Sequence, residues 1–247
     1  MPRTQTSASE AVPPPALPAK RAYLEESRDL ATGFLFILPL LIGYELGVVW
    51  LRSDVINWAH GLIRHALGAL GPAEPFLFAA VIASLVVLAQ LRADRLLVDA
   101  EMFGLMLVES LLYAAAMVIV CSIAAQRMLL VSLGRGSELV SNLVLSAGAG
   151  VYEEVLFRVV LMGGLYHGLK RCRGVVAWRA AVIAIVGSSL VFSACHHIGP
   201  YGELLAWAPL VYRFGLGVLF AGIYIYRGLG IVVYTHAFYD VFCLISA

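Results

Sequence analysis

The chain has 247 residues, of which 61% are hydrophobic and only 13% charged, with a formal net charge of +1. Soluble domains typically carry roughly 45–50% apolar and about 25% charged residues, and a compact water-soluble fold of this size could not hide the apolar surface that a mean hydropathy of +0.88 implies. This balance argues against a soluble enzyme and a disordered protein, and the absence of a positive excess argues against nucleic-acid binding. It fits an all-α, polytopic helical membrane protein. The four cysteines (Cys121, Cys172, Cys195 and Cys243) are scattered without a CxxC pair, which gives neither a disulfide framework nor a zinc ribbon.

Residues 1–30 are the long polar stretch. The run Val12-Pro-Pro-Pro-Ala-Leu-Pro cannot enter a helix, because proline lacks the amide proton and clashes with the preceding turn, so 1–30 reads as a disordered tail ahead of a membrane domain over 31–247. Seven apolar stretches follow, at about 31–51, 76–91, 101–125, 138–169, 180–197, 204–226 and 229–246, each near the ~20 residues that span a bilayer. The fourth is too long for one straight span and is expected to tilt, to break near Gly148-Ala149-Gly150, or to extend into the cytoplasm. Between the first two, residues 55–70 place apolar side chains on one helical face, with His60, Arg64 and His65 off it. This reads as an interfacial amphipathic helix, with the histidines as surface residues rather than ligands.

Lys and Arg placement sets the orientation. With the tail in the cytoplasm, eleven fall in inner segments (among them Lys20, Arg21, Arg28, Lys170, Arg171 and Arg227) and four in outer ones (Arg52, Arg64, Arg127 and Arg135). The N-terminus is therefore expected inside.

Ionisable groups at bilayer depth are costly and face a cavity or a partner, and the second half of the chain gathers several. The fourth stretch carries Val151-Tyr-Glu-Glu-Val-Leu-Phe-Arg158, the fifth ends Phe192-Ser-Ala-Cys-His196-His197, and the last carries His236-Ala-Phe-Tyr-Asp240. Glu153 and Glu154 are adjacent and project about 100° apart on a helix, so they cannot share one task. Glu154 and Arg158 have the i, i+4 order that favours an ion pair. That leaves Glu153 without a local partner, a setting suited to a general base. Phe192 and His196 share a helix face, as do His236 and Asp240, where the carboxylate could orient the imidazole. Glu153 and His196 lie about 16 residues, or ~24 Å, from the cytoplasmic end of their stretches, and His236 and Asp240 about 8–12 residues, or ~12–18 Å. With tilt, all could meet in one intramembrane cavity.

Glu-Glu-x-x-x-Arg, Phe-x-x-x-His and His-x-x-x-Asn/Asp on successive membrane helices resemble the CPBP family, the CAAX proteases and bacteriocin-processing enzymes, whose best-known member is the type II CAAX prenyl endopeptidase. The motifs fall within 153–240, and the motif core is about 138–246. The resemblance implies an intramembrane endopeptidase of the glutamic type acting on a peptide or membrane-protein substrate, with a prenylated tail one candidate. It implies a multi-pass location in the lipid bilayer, with a bacterial inner membrane the expected setting. Carried over, Glu153 would activate water, Glu154 would pair with Arg158, and His196, His236 and Asp240 would line the site, the histidines stabilising the oxyanion. An older reading of the family makes the Glu and His residues zinc ligands. Here that set would be Glu153, His196, His236 and Asp240. Both readings fit the chemistry, and no HExxH helix decides between them; a mechanism without a cofactor is favoured. The chain departs from the pattern in two places: Val159 stands where many members have glycine, and Asp240 where the prenyl endopeptidase has asparagine. His197 points elsewhere on a regular helix.

Other buried charges are assigned to packing. Glu45 and Glu109 should face protein or water, and Glu109 has Arg213 as one candidate partner. Tyr152 and Tyr239 flank the motifs as hydrogen-bonding neighbours. Two other function classes compete: a non-proteolytic scaffold or bacteriocin-immunity protein that retains the fold, and a proton or metal transporter built on the same Glu/His cluster. The complete motif set argues against the first, and the lack of an internal repeat against the second. Gly187-Ser188-Ser189 is no serine-protease elbow, and no GxGD follows Tyr239-Asp240.

Overall fold

A computed structural model describes residues 19–51, 57, 59–62, 83, 87, 100–125, 139–172, 174–198 and 204–246. Among these the ordered elements are all helical: α1 Ala19–Arg28, α2 Leu30–Leu51, α3 Ala100–Ala125, α4 Leu139–Gly148, α5 Gly163–Arg171, α6 Ala177–Cys195, α7 Trp207–Arg227 and α8 Leu229–Ser246. The expected span 76–91, apart from 83 and 87, lies outside the described residues. So do most of the expected interfacial helix 55–70, His65 included, and residues 1–18 of the expected tail.

Four described helices are long and apolar enough to cross a membrane: α2, the Ala100–Cys121 part of α3, α6 and α7, with α8 a shorter apolar helix. They match the first, third, fifth, sixth and last apolar stretches. Leu105, Val108, Leu112 and Ile119 of α3 are exposed, as a lipid-facing helix requires. Trp50 ends α2 and Trp207 begins α7, both exposed, while Trp178 begins α6 and Tyr226 nearly ends α7. Given the chain direction, these form two aromatic borders of the kind that mark membrane interfaces.

The fourth stretch neither breaks nor stays regular. It is helical from Leu139 to Arg171, but α4 passes into π-type turns over Ala149–Glu153 and Val155–Met162 before α5 resumes. Such wide turns change the angular phase of the side chains and recur at functional sites.

Helix α8 is the centre of the bundle and packs against α2, α3, α4, the π segment and α7. Ile231, Val232 and Val233 are completely buried, which is how a helix apolar on every side is accommodated. Gly150 makes the tightest approach to it. A Cβ there would lie 2.6 Å from the Val233 carbonyl and 3.0 Å from Ala237 Cβ, so only glycine lets the π segment reach the face of α8 that carries His236.

Residues 19–28, expected in the tail, form a helix. The proline run ends at Pro18, and the corner after α1 is pinned. Asp29 Oδ2 accepts from the amides of Ala31 and Thr32, both at 3.0 Å, capping α2. Arg28 donates to the Ile225 carbonyl at 3.1 Å. The turn between α7 and α8 is the single residue Gly228, whose φ of +83° suits glycine and whose Cβ position would be 2.8 Å from Arg28 Cα.

Candidate active site

The π segment, the end of α6 and the middle of α8 bring the three motifs together. Arg158 and Glu154 are both completely buried, with Arg158 Nε 2.9 Å from Glu154 Oε2. Glu154 Oε1 then takes His236 Nδ1 at 2.8 Å, so Glu154 links the arginine to the imidazole across two helices. The sequence expectation gave the orienting role to Asp240. Its Oδ2 is instead 3.8 Å from the other ring nitrogen, His236 Nε2, because the close approach at Gly150 presents Glu154 to the Nδ1 side. Phe220 of α7 stacks on the His236 ring, with centroids 4.4 Å apart.

His196 lies in the turn that closes α6. Its Nδ1 is 2.8 Å from the Phe192 carbonyl oxygen, and the Phe192 and His196 rings are 4.8 Å apart. The carbonyl can only accept, so Nδ1 carries the proton. His197 follows in the same turn.

Glu153 stands between the two histidines. Its Oε2 is 3.7 Å from His196 Nε2 and 4.0 Å from His236 Nε2 and makes no hydrogen bond within the protein. Its Oε1 accepts from Asn57 Nδ2 at 2.9 Å. The Glu153 and His236 side chains are 7% and 6% exposed, whereas His196 is 23% and Asp240 32%. The site is therefore closed behind Glu153 and approachable past His196 and Asp240. Arg213 is within electrostatic reach of both of these residues.

Among the described residues no three or more His, Cys, Asp or Glu side chains converge in a metal-holding arrangement. No chemistry is routed through the zinc set Glu153, His196, His236 and Asp240.

Sequence reasoning missed Asn57 and Phe220. Asn57 lies 96 positions from its partner, and Phe220 is one apolar residue among many in its helix; neither carries a local signal. His60, read as a surface residue, is half-buried. It shares a 2.8 Å hydrogen bond with Tyr44 and stacks on Tyr152, with ring centroids 4.4 Å apart. Tyr152 donates to Glu45, and Tyr239 shares a hydrogen bond with Tyr212, so both flanking tyrosines do have polar partners. Glu109 pairs with Arg227 rather than Arg213, through Arg227 Nη2 at 2.8 Å, because the last turn of α7 rather than its middle meets α3.

A buried Glu/His cluster inside a bundle of membrane-spanning helices defines a polytopic integral membrane protein with an intramembrane site. Residues 135–242, which contain all three motifs, match the family model described as "Type II CAAX prenyl endopeptidase Rce1-like". This segment, less than half of the chain, is similar to the CAAX protease (CPBP) family, in line with the motif resemblance. Comparison with curated proteins gives no match, and neither does comparison with solved structures.

Proposed function

We propose that the protein hydrolyses peptide bonds with a water activated by Glu153, without a metal cofactor. The observation that carries this reading is the position of Glu153 Oε2, free of hydrogen bonds and facing two imidazole nitrogens at 3.7 and 4.0 Å. These separations are too long for direct hydrogen bonds and suit a single bridging water.

In the proposed reaction Glu153 Oε2 takes one proton from that water while its oxygen bonds to the scissile carbonyl carbon. The carbonyl π pair moves onto oxygen. His196 donates Nδ1–H to the Phe192 carbonyl, so its Nε2 lone pair accepts the second hydrogen of the water and aims it. His236 is flanked by Glu154 at Nδ1 and by Glu153 and Asp240 at Nε2. With both ring nitrogens protonated, His236 Nε2–H donates to the oxyanion. Collapse breaks the C–N bond, and the proton held by Glu153 passes to the leaving amine. Glu154 and Arg158 hold His236 in place.

The substrate class is a peptide or membrane-protein segment that enters past His196 and Asp240. A prenylated CAAX tail is the first to test, on the strength of the family description. The count of eleven inner against four outer Lys and Arg residues supports a cytoplasmic N-terminus, and a bacterial inner membrane is the proposed setting.

The test is mass-spectrometric cleavage profiling in detergent on a diverse peptide pool that includes farnesylated C-termini. Wild type and Glu153→Gln are run with and without chelator. The expected result is cleavage by wild type alone, unaffected by chelator. Chelator-sensitive cleavage overturns the metal-free step, and identical traces from two folded proteins on both the pool and native membrane proteins overturn proteolysis.

A further inference from the structure

Asn57 belongs to none of the three motifs and lies outside the matched segment, yet its side chain reaches the carboxylate at the centre of the site. Its two ends are assigned by their neighbours. Oδ1 accepts from the backbone amides of Ala59 at 2.9 Å and His60 at 3.4 Å, as an N-cap does. Amides can only donate to it, so the opposite end is the NH₂ group, and this donates from Nδ2 to Glu153 Oε1 at 2.9 Å. The residue is itself held. Its amide donates to Tyr44 Oη at 3.2 Å, and its carbonyl accepts from Gly61 at 2.9 Å. Tyr44 is fully buried and its ring lies 5.4 Å from that of Tyr152, the residue before Glu153, while His60 stacks on the same Tyr152 ring. Asn57 and His60 are thus locked onto the turn that carries Glu153.

We infer that Asn57 is a positioning residue for Glu153: it fixes Oε1 so that Oε2 is turned towards His196 and His236. This rests on the proposed glutamate-activated hydrolysis. A cap alone would need only Oδ1; the amide end aimed at a largely buried carboxylate is the feature a cap does not explain. Preorganisation of this kind acts on the chemical step more than on substrate binding.

Asn57→Asp separates the two roles. It retains the capping oxygen, since Asp is as good an N-cap as Asn, removes the donor and sets a second carboxylate against Glu153. Asn57→Ala removes both. Steady-state kinetics would use the full-length protein in detergent and the peptide of the pool that wild type cleaves fastest, with thermal unfolding as the folding control. The expected result for both variants is a fall in kcat of roughly 10–100-fold, with KM within about twofold of wild type; the melting temperature falls for Asn57→Ala through the lost cap and for Asn57→Asp through the facing carboxylates. Asn57→Asp at wild-type kcat makes the residue a cap and overturns the inference. If Asn57→Asp does not fold, Asn57→Ala decides, and kcat within about twofold of wild type overturns it. A wild type that cleaves nothing sinks the hydrolase reading and this inference with it. Activity in wild type, its loss in Glu153→Gln and its retention in Asn57→Asp sink the inference alone.

Discussion

Where α1 meets α3 and the last turn of α7, Glu109 has both carboxylate oxygens taken. Arg227 Nε donates to Oε1, and Arg227 Nη2 and Tyr23 donate to Oε2 at 2.8 and 2.6 Å. Arg227 also donates to Ser27 at 3.1 Å and lies over the Tyr23 ring. Burial and the Glu109 carboxylate push the Tyr23 hydroxyl well above its ordinary range, so it stays a donor. At the π segment the arrangement is different. Glu154 has counter-charges in Arg158 and His236, although its Oε2 makes no hydrogen bond, whereas Glu153 has one oxygen held by Asn57 and the other facing only imidazole nitrogens at 3.7 and 4.0 Å. The first cluster closes a helix junction. The second has an arginine-paired half, Glu154 with Arg158, that supports a half with no arginine partner, Glu153.

The comparison predicts different kinds of damage. Glu153→Gln should leave a folded protein and lower cleavage by on the order of 10³-fold, the size of a lost general base; cleavage rate against thermal unfolding checks it. Arg158→Met attacks the arginine-paired half. It strands Glu154 as a buried carboxylate short of its counter-charge and should cost about 3–5 kcal/mol of stability, read from unfolding in detergent. Activity per folded molecule should fall too, because Glu154 holds His236. Wild-type stability in this variant would mean that Glu154 is relieved by some other group, and the division into halves would be wrong.

A smaller effect is expected at the contact that joins the halves. Gly150→Ala puts a methyl group 2.6 Å from the Val233 carbonyl. Backbone on α8 cannot yield as a side chain would, so the π segment must move, at about 1–3 kcal/mol. The separation of Glu154 from His236 should widen, and kcat should drop more than KM rises. An unchanged kcat would show that the site does not depend on this approach.

Local spacing accounts for part of the site and packing for the rest. The i, i+4 rule was enough for Glu154 with Arg158 and for Phe192 with His196, and it put Asp240 near His236. It could not say that Glu154 would take His236 Nδ1 from 82 positions away, nor that Asn57 would return to Glu153. Those pairings depend on where α8 runs and on the missing Cβ of Gly150. Hydropathy found the spans that the described residues contain, because lipid demands long apolar helices. It was blind to the π turns, which leave composition unchanged. Arg227 shows the same limit. Counted as an interfacial positive charge, it is 5% exposed, since Glu109 of α3 and Tyr23 and Ser27 of α1 are brought to it by two other helices.

The smallest effect tests the closed cluster. Glu109→Gln keeps the side chain's length and one acceptor but removes the charge that Arg227 and Tyr23 face. Glu109 is 23% exposed, so water can take up part of the loss, and about 1–2 kcal/mol of destabilisation is expected. The cluster fastens α1 to α3 and α7 and does not touch Glu153, His196 or His236. Thermal unfolding should therefore shift down while kcat and KM of the folded fraction stay at wild-type values. Adding Gln at both 109 and 153 should give the sum of the two single effects, because sites without shared partners combine additively. A Glu109→Gln protein that melts like wild type but cleaves slowly would reverse the assignment, moving the α1 junction from structural fastening into the working part of the enzyme.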